Sequence, residues 1–396
     1  MRAQTDVFLL GLARAASGLW FRDVQVVGAD HLDHDGPVLV VASHFNGMLD
    51  PVLIARSSSR MPRYLATATL WRNPVAARLL DVVGALPVHR PNEGSTAGNM
   101  AIFEACFAAL ADGQMVALFP EGITHDEPRV AELRTGAARI ALGAAEAGAR
   151  GLRIVPVGLI YVAKQRARSR ALVRVGAPID LDRDLARIAG RTGADADDVE
   201  AVRLLTEEIH RRLAAAALDY EDADVALAAA HAARIALRSA GTPRRWEPQI
   251  DELERIASAL VTAPTEQMLA VVSALGVYAD ELALLGVDDA DLAAGDLTPR
   301  ALRWRLGRLG AYAVATPAVA VGAVVNGPAV AAVWAAGALP VGTPMRATVR
   351  LLTGFGLLPA SWAIVRWWLG RRTDLREPTL LTLLAGPGCG LVALRL

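Results

Sequence analysis

From Leu309 to Met345 the chain carries no charged residue, and this stretch restricts its fold more than any other feature. A helix that crosses a bilayer needs about 20 apolar residues in succession, so the run is nearly long enough for two short crossings. Gly327-Pro328 near its middle has turn chemistry, and Pro317, Pro340 and Pro344 punctuate it further. Leu351–Leu369, compromised by Arg366, is a second apolar candidate, and Thr379–Leu396 is a third. A set of buried core helices fits an uncharged run this far beyond the ~18-residue threshold poorly. Residues 302–396 are therefore expected to be helical and membrane-embedded. Arg303, Arg305 and Arg308 precede the run, and Arg346 and Arg350 follow it. By the positive-inside tendency both ends face the cytoplasm, as in a hairpin or re-entrant pair.

The rest of the chain is less apolar, although 53% of all 396 residues are hydrophobic. Formal net charge is zero, so no global field recruits nucleic acid. Basic residues are almost all arginine, a residue suited to phosphate, and Lys164 is the only lysine. Cys106 and Cys389 lie far apart without metal-ligand spacing, which reads as a reducing compartment with no disulfide framework. At the other end, Val7 to Trp20 has an apolar face interrupted by Arg14 and closed by Trp20-Phe21. Its apolar core is short and no A-x-A-like site follows, so residues 1–22 read as an interfacial amphipathic helix rather than a signal peptide.

Between these ends, short apolar runs alternate with helical patterns of ten to fifteen residues. Runs at Val24–Val27, Pro37–Ala42, Tyr64–Ala68, Gly84–Arg90, Gln114–Phe119, Arg153–Val162 and Ala171–Val175 read as strands. Helical spacing appears around Pro74–Asp81, at Ala97–Asp112 and at Gly136–Ala147. The expectation is an α/β domain over 23–180, a mixed sheet flanked by helices. Strand signals disappear after Leu181, and 181–301 reads as helical, with Gly241-Thr242-Pro243 a break. His31 and His34 sit in an acidic loop ending in Gly36, better explained as a turn than as metal ligands.

Two segments offer chemistry. In Ser43-His44-Phe45-Asn46-Gly47-Met48-Leu49-Asp50-Pro51, an imidazole follows a buried strand and a carboxylate lies six residues on. A neutral imidazole takes a proton from a hydroxyl when its other nitrogen is held by a carboxylate. In Phe119-Pro120-Glu121-Gly122-Ile123-Thr124, a tight turn after a strand carries one acid and one hydroxyl. Arg90 closes another strand, and each of these signals alone is modest.

Their order resembles the glycerolipid acyltransferase superfamily, whose members carry four blocks in sequence. Ser43-His44 with Asp50-Pro51 matches the first block, and Gly84-Ala85-Leu86-Pro87-Val88-His89-Arg90 the second. Phe119 to Thr124 matches the third, and Ile154-Val155-Pro156-Val157-Gly158 the fourth. One residue more than usual separates His44 from Asp50, and Ser43 stands where the family usually has Asn. His125-Asp126, Arg134-Thr135-Gly136-Ala137, Arg168-Ser169-Arg170 and the apolar C-terminus are similar to the fungal-type glycerol-3-phosphate/dihydroxyacetone-phosphate branch.

The resemblance implies a membrane-bound O-acyltransferase at the cytoplasmic face of the cell membrane, with no cofactor. His44, polarised by Asp50, would deprotonate a hydroxyl of a glycerol phosphate acceptor. The alkoxide would attack the thioester of acyl-CoA or acyl-ACP, the acyl carrier protein. Arg90 would hold the acceptor phosphate, with Glu121, Gly122 and Thr124 completing the pocket and Arg134 a second phosphate contact. The implied acceptor is 1-acylglycerol 3-phosphate, giving phosphatidic acid, with glycerol 3-phosphate or dihydroxyacetone phosphate as the rival. A non-catalytic lipid-binding membrane protein would not need His44, Asp50 and Glu121. A hydrolase would need water or Ser43 as nucleophile, and neighbouring residues on a strand face opposite ways.

Overall fold

The computed structural model describes residues 2–88, 97–164, 166–191, 193–217, 220, 223–239, 249–261, 266, 270–271, 273–275, 277–278, 281, 284, 299–338, 343–372, 382 and 386. The chain divides into two compact units, residues 1–240 with 247–272, and residues 241–246 with 273–396.

The first unit is built on an eight-stranded mixed sheet. Its strands are β1 (Phe21–Val27), β2 (Val38–Ala42), β3 (Arg63–Thr67), β4 (Leu86–Val88), β5 (Met115–Leu118), β6 (Arg153–Tyr161), β7 (Ser169–Val175) and β8 (Ile179–Asp180). The order is β1-β7-β6-β2-β5-β3-β4, with β8 beside β6. All neighbours are parallel except β6–β7 and β6–β8. Every residue of β2 and β5 is buried, as expected where helices cover both faces of parallel strands. Pro156 sits inside β6, although proline cannot donate to a ladder. On that side β8 pairs with Arg153–Ile154 and β7 with Val157–Tyr161, so Pro156 falls in the gap between two partners.

The helices follow the apolar spacing of the sequence: α1 (Arg2–Trp20), α2 (Leu49–Ser57), α3 (Pro74–Val83), α4 (Ala97–Ala111), α5 (Gly136–Glu146), α6 (Leu181–Ala189), α7 (Val199–Ala216), α8 (Ala223–Ser239) and α9 (Ile250–Val261). The main core joins Leu39 and Val41 of β2 to Cys106 and Leu110 of α4, Ile140 and Leu142 of α5, and Leu205 and Ile209 of α7. Helix α1 buries Leu10 and Ala13 with Ala55 of α2, while Val7, Phe8, Leu12 and Leu19 lie exposed. His31 and His34 bond the carbonyls of Val175 and Gly151, tying their turn to the sheet.

The second unit contains two long helices, α10 (Pro299–Gly337) and α11 (Thr343–Arg372). Each includes a segment long and apolar enough to cross a membrane, Thr316–Gly337 and Thr348–Arg371. The expected turn at Gly327-Pro328 is not there, because α10 runs straight through Pro317 and Pro328. A proline removes one helical hydrogen bond, and α10 continues as helix on both sides of Pro317 and of Pro328. Pro340, the Gly241-Thr242-Pro243 break and most of Thr379–Leu396 lie outside the described residues.

Candidate active site

Strands β6, β2 and β5 lie side by side and parallel, so the loops leaving their carboxyl ends share one edge of the sheet. Ligands bind at such an edge in open α/β sheets. His44 leaves β2, Glu121 follows β5, and Tyr161 ends β6.

The His44 Nδ1 lies 2.9 Å from the Asp50 Oδ2. Asp50 is fully buried in the first turn of α2, where the helix dipole favours a carboxylate. Its position is fixed from both sides. The Asn46 amide donates to Oδ2 at 2.7 Å, and the Tyr161 hydroxyl donates to Oδ1 at 2.5 Å. Burial, followed by the Asp50 charge, pushes the Tyr161 phenol well above its ordinary pKa, so it stays a proton donor. The side chain of buried Asn46 accepts from the amides of Met48 and Leu49 at 3.2 and 3.1 Å, which closes the turn that starts α2. The imidazole stacks on Phe119 with ring centroids 4.0 Å apart. With Nδ1 bound to Asp50, Nε2 is the nitrogen left to act as base.

Ser43, next to this base, is fully buried and already engaged. Its Oγ accepts the Leu159 amide at 3.0 Å and its own amide donates to the Val157 carbonyl at 3.2 Å. That removes it as a hydrolytic nucleophile.

Glu121, expected in the acceptor pocket, is turned inward and its side chain is fully buried. One oxygen accepts the His44 amide at 2.9 Å, and the other accepts the Ala131 amide at 3.0 Å and pairs with His125. It holds the His44 loop through the His44 amide. Gly122 adopts a left-handed φ of 69°, and a Cβ there would come within 2.7 Å of the Arg134 Nε. The exposed Arg134 side chain therefore lies directly over this glycine, with its backbone anchored by a 2.9 Å bond to the Pro120 carbonyl. Thr124 is half-buried on the same loop.

Arg90 lies outside the described residues. Arg168, in the Arg168-Ser169-Arg170 stretch, bonds the Gly18 and Phe21 carbonyls at 3.0 and 3.3 Å, closing the C-terminal end of α1. Sequence reasoning missed Tyr161. A tyrosine ending a buried strand is the only local signal, because its partner is supplied by β6 pairing with β2. Among the described residues no group of three or more His, Cys, Asp or Glu side chains could hold a metal ion.

A buried carboxylate orienting an imidazole at the carboxyl edge of a parallel sheet is the geometry of a candidate general-base site. Residues 23–160 match the family model Acyltransferase. Glycerol-3-phosphate O-acyltransferase 2 of Saccharomyces cerevisiae is 38% identical over 85 residues, 21% of this chain. Glycerol-3-phosphate O-acyltransferase 1 of the same yeast is 34% identical over 85 residues, also 21% of this chain. The chain covers only 11% of the length of either yeast protein. Among solved structures, the 1-acyl-sn-glycerophosphate acyltransferase PlsC from Thermotoga maritima overlaps 52% of this chain and 76% of its own, with 19% identity and a TM-score of 0.38. Over residues 23–160 the chain thus carries an acyltransferase domain similar in sequence to the two yeast glycerol-3-phosphate acyltransferases.

Proposed function

We propose that this protein transfers an acyl group from acyl-CoA or acyl carrier protein to the free hydroxyl of 1-acylglycerol 3-phosphate, giving phosphatidic acid, and that it does so at the cytoplasmic face of the cell membrane. The observation that carries the reading is the 2.9 Å pairing of His44 with buried Asp50. His44 Nε2 takes the hydroxyl proton as the oxygen attacks the thioester carbonyl. The tetrahedral intermediate collapses, the C–S bond breaks, and the proton passes from His44 to the departing thiolate. Asp50 keeps the imidazole in the correct tautomer throughout. No cofactor takes part in these steps. Arg134, exposed above Gly122, and Arg90 are the cations assigned to the acceptor phosphate. The two apolar helices of the second unit support placement in a bilayer, from which the lipid substrate is drawn.

A second reading takes glycerol 3-phosphate as acceptor, one step earlier in the same chemistry. It is favoured by the two yeast relatives, which are glycerol-3-phosphate O-acyltransferases. One experiment separates the two. Membranes containing the protein are offered labelled acyl-CoA with each acceptor in turn, beside His44→Ala. Label in phosphatidic acid from the lyso-acceptor alone, lost in the variant, supports the first reading. Label in lysophosphatidic acid from glycerol 3-phosphate moves the enzyme to the second. No product from either acceptor refutes both substrate assignments.

A further inference from the structure

All but one of the chain's 41 basic residues are arginine, so the position of the single lysine is informative. Lys164 stands on the loop after β6, three residues beyond Tyr161, with its side chain only 15% exposed. Its Nζ lies 2.9 Å from the Phe45 carbonyl and 3.3 Å from the His125 carbonyl. The same nitrogen pairs with the Asp126 carboxylate and sits 5.7 Å from the centre of the Phe45 ring. Phe45 follows His44 on the β2–α2 loop, and His125 and Asp126 lie on the loop after β5. All three loops of the base-bearing edge thus converge on one nitrogen.

An ammonium suits this place and a guanidinium does not. The ammonium is compact and its three donors rotate to meet acceptors arriving from different directions, whereas a guanidinium offers a rigid planar fork. In a chain that otherwise uses arginine for every positive charge, the geometry of the acceptors accounts for the exception. Two backbone ties also link the loops, the His44 amide to Glu121 at 2.9 Å and the His125 amide to the His44 carbonyl at 3.3 Å. Both act at His44, whereas the Phe45 carbonyl bonds Lys164 and the Phe45 ring packs edge-on against His125, with centroids 5.1 Å apart.

We infer that Lys164 is a positioning residue that sets the distance between the His44 loop and the Glu121–Asp126 loop, and does not contact substrate. The inference rests on the acyl-transfer reading for its kinetic consequence, but the staple itself has a separate readout. Because the full chain holds one lysine, acetic anhydride labelling followed by peptide mass analysis reports on a single side chain. Acetylation of Lys164 should run at least about tenfold slower in the native protein than in the denatured chain, and Asp126→Asn should speed it. Native labelling as fast as in the denatured chain overturns the staple even if acyl transfer is present. Absence of acyl transfer in the wild type, with labelling slow, sinks the functional reading and leaves the staple standing.

Where transfer is observed, Lys164→Met and Lys164→Arg should both lower kcat about ten- to hundredfold, with KM for donor and acceptor within about twofold. Wild-type kcat in Lys164→Arg overturns the inference, since charge alone would then suffice. A raised KM for the phosphate acceptor with kcat intact also overturns it, because Lys164 would then be binding substrate. If either variant fails to fold, the labelling comparison on the wild type and Asp126→Asn decides.

Discussion

The Asp50 carboxylate is held in place by an amide and a phenol, both neutral donors. Tyr161→Phe removes one of them and leaves Oδ1 buried without that hydrogen bond, a loss of about 1–3 kcal/mol. Initial rates should show kcat reduced about tenfold with KM unchanged, because only the orientation of His44 is affected. A variant with wild-type kcat would mean that Asn46 alone positions Asp50. The His44–Asp50 pair was readable in the sequence because one loop carries both residues. Tyr161 was not, since it reaches Asp50 only through the register that sets Val41 beside Pro156. Glu121 was readable as an important acid, but its direction was hidden. Whether a carboxylate on a turn faces water or the protein depends on what packs behind the turn, and here that is the His44 amide.

Helix α7 presses its C-terminal end onto β6 at Gly158, where a Cβ would lie 2.0 Å from the Ala216 carbonyl. Gly158→Ala should therefore force α7 off the sheet, lowering stability by about 1–3 kcal/mol in urea unfolding. An unchanged midpoint would show that the helix end shifts freely. Helix α9 gives a pH-dependent case. Burial raises the Glu254 carboxyl above its ordinary value, against the Tyr220 hydroxyl that donates to it at 3.0 Å and the Arg174 charge, and with Asp251 adding to the rise. A carboxyl that holds its proton longer in the folded state stabilises most at low pH, and the contribution fades as pH climbs from the unfolded value through the folded one. Glu254→Gln stays neutral, so its thermal midpoint relative to wild type should rise from about pH 4 to pH 7. Parallel pH profiles would refute this. The strands were legible at this scale because each is a short apolar run with a clear boundary. The path of α10 was not, because a Gly-Pro pair signals a turn only when water can take the freed carbonyl.

Each of the two units has its own organisation. In the second, buried Asn326 accepts the Trp362 indole N–H at 2.7 Å and donates to the Gly322 and Gly386 carbonyls at 3.0 and 3.2 Å. The Trp362 bond joins α10 to α11, and polar pairs among apolar side chains act as specific links. Asn326→Ala should weaken the helix pair by about 0.6–2 kcal/mol, seen as easier unfolding of the membrane fraction by detergent denaturant mixtures. Equal unfolding would assign the pairing to apolar packing alone. Hydropathy is a local property, so the membrane-competent helices were visible in the sequence. The Asn326–Trp362 bond between them joins residues far apart in the chain, and composition does not encode that.

The locked Ser43 hydroxyl has a kinetic consequence for the whole reaction. The one serine beside His44 is buried and engaged by the Leu159 amide, so on the proposed reading no acyl-serine forms there. Direct transfer of this kind is expected to have donor and acceptor aboard together before either product leaves. Double-reciprocal plots at several fixed acceptor concentrations should intersect, and parallel lines would reveal an acylated protein and a hidden nucleophile. A ternary complex also ties the two supplies to one another: scarcity of the acceptor leaves the thioester intact instead of stranding an acyl group for water to take.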